Sequence, residues 1–198
     1  MNLPNRLSVL RILLVVILVI IPYITVFEKL VFNVPLYNIL MAIIFIIGAI
    51  TDMVDGKIAR DRELITDLGK FLDPLADKIL VLSALIILVD LGRIPSWIPI
   101  VILMREFAVS GYRLIASSKE GEVIAASIWG KIKTITQMIA ISFVLIDVHP
   151  IFSFLNKELN IYEAIFNGIG SILLIISVIA TMISGWDYLK NMKEYIKE

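Results

Sequence analysis

Asp52 and Asp55 stand three residues apart, and Asp73 and Asp77 stand four apart. On a helix, residues three and four apart share a face. Gly56, Ala59 and Arg60 extend the first pair into one stripe, and Gly69 extends the second backwards by one turn. The eight residues from Asp61 to Leu68 join the two stripes. Two neighbouring helices can therefore aim four carboxylates at one point. Carboxylates gathered near lipid repel one another with little screening. A charge placed at membrane depth costs at least about 2.5–3.5 kcal/mol. Lys57, Arg60 and Lys78 offset part of that cost. Divalent cations offset more, and hard oxygen ligands suit Mg²⁺ or Mn²⁺. Four carboxylates suffice for two ions with shared ligands, an arrangement that stabilises both oxygens of a displacement at phosphorus.

Each residue also has a plainer reading. Gly56, Ala59 and Gly69 leave space for a ligand to reach the backbone, and they equally suit close helix packing. Asp73 before Pro74 reads alone as a helix N-cap. Asp52 and Asp55 read alone as a salt-bridged interfacial face with Lys57 and Arg60. What favours a joint site is that all four carboxylates fall on two coherent stripes.

A second group is cationic. Arg105 lies well inside an apolar segment that begins at Trp97, where a cation normally faces a partner or a polar cavity. Arg105, Arg113, Lys131 and Lys133 together suit a basic pocket for an anion, since arginine grips phosphate bidentately. Their plainer readings are pairing of Arg105 with Glu106, retention of Arg113 on the cytosolic side, and an anionic-lipid patch for Lys131 and Lys133. Glu106 and Ser127 are supporting candidates; Ser110 and Ser127 also suit bonds to their own helix backbone.

These residues need helices to position them, and the chain supplies apolar ones. Of 198 residues, 59% are hydrophobic, and mean hydropathy is +0.94. Soluble domains run at about 45–50% apolar. The formal net charge is zero, so no global field points to nucleic acid. There is no cysteine, which excludes disulfides and thiolate metal sites. Six segments approach the roughly 20 residues that a crossing needs: Leu7–Phe27, Pro35–Asp52, Leu72–Leu91, Ile94–Ala116, Ile132–Val148 and Ala164–Gly185. No small-x-small cleavage signal follows the first, so it reads as an uncleaved span. Strands are not expected, because an open sheet edge cannot sit in lipid. The expected fold is all-α, one polytopic membrane domain over residues 1–198. Asn2 to Arg11 reads either as an interfacial lead-in or as the ordinary start of the first span. Trp186, Tyr188, Lys190 and Lys193 read as an interfacial anchor. His149, beside Pro150, reads as a loop residue. Of 18 lysines and arginines, all but Lys29, Arg93 and Lys157 fall on the side that holds the N-terminus. The positive-inside tendency then places both termini and the aspartates in the cytosol, in a multi-pass protein of the cell membrane.

The spacing of Asp52, Asp55, Gly56, Ala59, Arg60, Gly69, Asp73 and Asp77 resembles the signature of the CDP-alcohol phosphotransferase family, D-x2-D-G-x2-A-R-x8-G-x3-D-x3-D, and fills every fixed position. The resemblance implies six transmembrane helices, a short N-terminal juxtamembrane helix and a homodimer. It implies that Asp52, Asp55, Asp73 and Asp77 coordinate metal. It makes Asp77 the base that takes the acceptor's proton, and it lines the CDP pocket with Asp52, Gly56, Ala59, Arg60 and Gly69. Two further runs, Arg105-Glu-Phe-Ala-Val-Ser-Gly-Tyr-Arg113 and Val123 to Ser127 followed by Gly130-Lys-Ile-Lys-Thr134, resemble one branch of that family, as does the opening Asn2 to Ser8 with Arg11. That branch implies transfer from CDP-diacylglycerol to sn-glycerol 3-phosphate, with CMP released. It also implies that Arg105, Arg113, Lys131 and Lys133 hold the acceptor phosphate. Serine, inositol phosphate or phosphatidylglycerol as acceptor is the neighbouring alternative. A divalent-cation transporter is a remote one: it explains the aspartates but neither Gly56, Ala59 and Arg60 nor the basic pocket.

Overall fold

The computed structural model describes the backbone of residues 3–31, 34–61, 67–120, 128–155 and 159–195, and the side chains of residues 5–31, 34–52, 75–111, 128–155, 159–186 and 190. Six α-helices follow one another: α1 (Leu3–Ile20), α2 (Leu36–Asp61), α3 (Asp67–Asp90), α4 (Trp97–Glu120), α5 (Ile128–Ile146) and α6 (Ile161–Tyr195). Each predicted apolar segment coincides with one of them. The protein is nearly all-α, and among the described residues the one sheet is a ladder of β1 (Leu30–Val31) with antiparallel β2 (Val34–Pro35). That ladder corrects the expectation of no strands. It belongs to the connection between α1 and α2, where the objection to an open edge in lipid does not apply.

The first segment also differs from expectation. α1 runs without a break from Leu3 to Ile20, so the lead-in up to Arg11 is the start of that helix and not a separate one. Pro4 falls in the first turn, where a missing N–H costs little. The helix stops short of Phe27 because Pro22 cannot donate to the preceding turn. Two 3₁₀ turns, Ile21–Tyr23 and Thr25–Glu28, replace the predicted continuation. Asp73 and Pro74 lie inside α3, which begins at Asp67, and this rules out Asp73 as its N-cap.

The distribution of polarity is the reverse of that in a soluble bundle. Arg11, Asn38, Ser171, Ser177 and Thr181 are buried, whereas Leu13, Val16 and Ile17 of α1, Ile43, Ile46 and Ile50 of α2, and Ile172 and Ile179 of α6 face outward. So much contiguous exposed apolar surface needs a nonaqueous neighbour. Among the described residues, three helices are long and apolar enough to cross a membrane, within Asn5–Tyr23, Ile128–Ile146 and Ile161–Trp186. The other three carry Asp52, the pair Asp77 and Lys78, and the pair Arg105 and Glu106 within them.

Packing follows helical periodicity. α1 turns Ser8, Arg11, Val15 and Leu18 inward, against α2 and α3. α2 buries Asn38, Met41, Ala42, Phe45 and Gly48. At Gly48 a Cβ would lie 2.8 Å from Leu80 Cδ2, so α2 and α3 approach there closely. α5 packs along α6, and α4 leans on α6. α3 and α4 touch each other little.

At the end where α3 and α5 finish, a polar knot ties the connections. Arg93 is 4% exposed. It donates to the carbonyls of Val144 at 3.2 Å and Leu145 at 3.0 Å, and to Asn38 Oδ1 at 2.8 Å. It thereby satisfies carbonyls left open at the end of α5. Asn167 donates to Asp147 Oδ2 at 2.7 Å and to the Pro150 carbonyl at 2.9 Å. His149 sits in this connection, 3.0 Å from Asp147 Oδ1, as a loop residue.

Candidate active site

At the opposite end, charged groups from five helices converge. Arg11 of α1 is fully buried, and its Nη1 lies 2.7 Å from Asp52 Oδ1 on α2. Asp77 of α3 lies within electrostatic reach of Asp52, Arg11, Lys133 of α5 and Glu106 of α4. The structure therefore brings together one aspartate from each predicted stripe. Asp55 and Asp73 lie in α2 and α3, one turn from Asp52 and Asp77. Their side chains lie outside the described residues, as do those of Ala59, Arg60 and Arg113 and the surroundings of Gly56 and Gly69. Ser127 also lies outside them.

Where α3 and α4 separate, a cavity of about 590 Å³ opens between them and α5. Asp77, Lys78, Arg105, Glu106, Lys133 and Gln137 reach its wall, and most of the rest is apolar. Glu106 is the hub of its cations. Its Oε1 accepts from Arg105 Nη1 at 2.9 Å and from Lys133 Nζ at 2.6 Å. The Arg105 Nη2 donates to Ser184 Oγ of α6, and the arginine stem packs over Gly185. Lys78 Nζ donates to Ser110 Oγ, linking α3 to α4. Among the described residues, three cations of the wall, Lys78, Arg105 and Lys133, thus meet two carboxylates, Asp77 and Glu106.

The basic residues divide. Lys133 is buried and lines the cavity, whereas Lys131 is exposed and is not in the wall. Two residues on an α-helix are about 200° apart around the axis, so both cannot face one cavity. Arg105 is in the wall and shares Glu106 with Lys133; its bond to Glu106 is the pairing weighed for it from sequence.

The metal set can be tested on one atom. Asp77 Oδ1 is buried and has no hydrogen-bond donor among the described residues. A buried acceptor left so costs about 1–3 kcal/mol. Beside a second carboxylate, it is a hard oxygen ligand waiting for a cation, and the residues present fit one. Among the described residues no three carboxylates or histidines cluster, which follows from Asp52 and Asp77 being the two signature aspartates with described side chains.

Sequence reasoning missed the role of Arg11, counted there as a topology charge and part of a resemblance. Its signal was a lone cation set in an apolar run. Gln137 was also missed; it lies one turn beyond Lys133 on the same face. The hub position of Glu106 was legible only as support for Arg105.

Comparison with known proteins gives the same direction. The family model described as CDP-alcohol phosphatidyltransferase matches residues 1–183. A Bacillus subtilis protein named CDP-diacylglycerol–glycerol-3-phosphate 3-phosphatidyltransferase is 41% identical over 203 residues, covering 99% of this chain and 97% of its own length. A Rickettsia bellii protein of the same name is 36% identical, covering 98% and 97%. A probable phosphatidylglycerophosphate synthase of Mycobacterium tuberculosis is 37% identical over 145 residues, covering 73% of this chain and 62% of its own.

Proposed function

The chain belongs to the CDP-alcohol phosphatidyltransferase family, and from that premise we propose that it transfers the phosphatidyl group of CDP-diacylglycerol to sn-glycerol 3-phosphate. The observation that carries the reading is the cavity whose wall holds both Asp77, with one oxygen unpartnered among the described residues, and the cation Lys133. A reacting hydroxyl and a phosphate on one small acceptor suit those two groups.

The terminal hydroxyl of the acceptor donates to Asp77, which takes its proton as the oxygen attacks the phosphatidyl phosphorus. The bond from that phosphorus to the CMP oxygen breaks, and CMP leaves with the electron pair. Phosphatidylglycerophosphate is the other product. Lys133 holds the acceptor phosphate, with Arg105 beside it and Arg113 as a further cation from α4. Glu106 keeps Lys133 and Arg105 in place. Asp52, Gly56, Ala59, Arg60 and Gly69 line the nucleotide pocket. Arg11 holds Asp52 in position from α1. Asp52, Asp55, Asp73 and Asp77 would hold two divalent ions, Mg²⁺ or Mn²⁺, which would supply charge neutralisation at the diphosphate and at the leaving group.

Six spans, with the aspartate end and both termini in the cytosol, support this chemistry. The donor's tails stay in hydrocarbon while the acceptor arrives from water. The lysine and arginine asymmetry supports that orientation. A homodimer is the assembly that the family pattern implies. The test is CMP release by the purified protein from CDP-diacylglycerol and glycerol 3-phosphate. Release should stop with a chelator and return with Mg²⁺ or Mn²⁺. Undiminished release in the chelator would overturn the metal site, and preference for serine would overturn the acceptor.

A further inference from the structure

We propose that Gln137 reads the hydroxyl of the acceptor that does not react, and so sets acceptor specificity. The inference rests on the phosphatidyl-transfer reading above. Gly130, Lys133, Thr134, Gln137 and Met138 of α5 all line the cavity, and their spacing makes them one helical face. Gln137 is 1% exposed, and its Nε2 has no hydrogen-bond partner among the described residues. A leucine or methionine would fill that volume without stranding a donor in a largely apolar wall. An amide kept there is explained by a guest that accepts from it.

The guest must match three groups at once. The Asp77 carboxylate can accept from a hydroxyl, Gln137 Nε2 has a hydrogen bond to give, and Lys133, held by Glu106, presents a cation. Gln137 lies one turn, about 6 Å along the axis, from Lys133, which is the scale of a three-carbon phosphate. In sn-glycerol 3-phosphate the terminal hydroxyl goes to Asp77 and the phosphate to Lys133. The middle hydroxyl is left for Gln137. A site built to hydrogen-bond a hydroxyl rejects an analogue that lacks it far more strongly than an apolar pocket rejects a missing methylene.

The experiment compares glycerol 3-phosphate with 3-hydroxypropyl phosphate, which lacks the middle hydroxyl, by CMP release from CDP-diacylglycerol in detergent. The wild-type protein should favour glycerol 3-phosphate by at least about tenfold in kcat/KM. In Gln137→Leu and Gln137→Met the two acceptors should fall within about threefold of each other. The loss should lie on glycerol 3-phosphate, chiefly in KM. The ratio is taken within each preparation, so a smaller folded fraction does not alter it. A wild-type ratio near one overturns the assignment without any variant, and so does a full ratio retained in both variants. No CMP release by the wild type with either acceptor strikes the phosphatidyl-transfer reading instead.

Discussion

Both ends of this helix bundle bury charge, and they treat it in opposite ways. Around Arg93, donors and acceptors are matched: its guanidinium meets two carbonyls and Asn38, and Asn167 meets Asp147 and the Pro150 carbonyl. Around Asp77, a cavity of about 590 Å³ remains, and Asp77 Oδ1 and Gln137 Nε2 lack partners among the described residues. A polar network that is complete stiffens a structure. One left incomplete beside a cavity is completed by a ligand. By that contrast Arg93, only 4% exposed, is assigned to structure, and Asp77 to the proposed chemistry.

Four substitutions test the contrast, the largest effect first. Asp77→Asn removes the proposed base and a metal ligand, and should lower kcat for CMP release by about 10²–10⁴-fold. Its thermal midpoint should hold or rise, since a buried charge is gone; a wild-type rate would break the comparison at its stronger end. Arg93→Met should do the reverse. It strands two helix-end carbonyls and Asn38, at a stability cost of about 3 kcal/mol, and should leave turnover per folded molecule unchanged. Denaturation in detergent, read beside the rate, separates the two, and a selective loss of turnover would contradict a purely structural knot. Lys133→Met should raise KM for glycerol 3-phosphate by about 10–100-fold while leaving KM for CDP-diacylglycerol within about threefold. Equal rises in both would unseat Lys133 from the acceptor. Lys131→Ala, at an exposed position outside the cavity wall, should change either KM by less than about twofold. A Lys133-sized effect there would mean that the cavity is not where the phosphate binds.

Much of this was readable from residues alone. All six helices announced themselves by their apolar runs, each of which coincides with one helix. The approach of Asp52 to Asp77 was legible because helical period fixes direction once the helix is granted. Exact ends were not, since Pro22 stops α1 through one local clash that an apolar count does not register. Nor was the split between Lys131 and Lys133, which depends on the rotation of α5 against its neighbours. Arg11 was hidden for another reason. Its pairing with Asp52 joins residues 41 positions apart, and no periodicity within one helix reports a contact with another.

The bare backbone at Gly48 has a bearing on the chemistry several ångströms away. Gly48 lies one turn before Asp52 on α2, and Leu80, which it meets, lies one turn after Asp77 on α3. This close approach of α2 and α3 therefore lies one turn beneath the two acids. A single methyl added there would press on the buried end of Leu80, and either that side chain or the helices beneath the proposed site would have to give way, so a missing atom lets the two acids' helices lie this near.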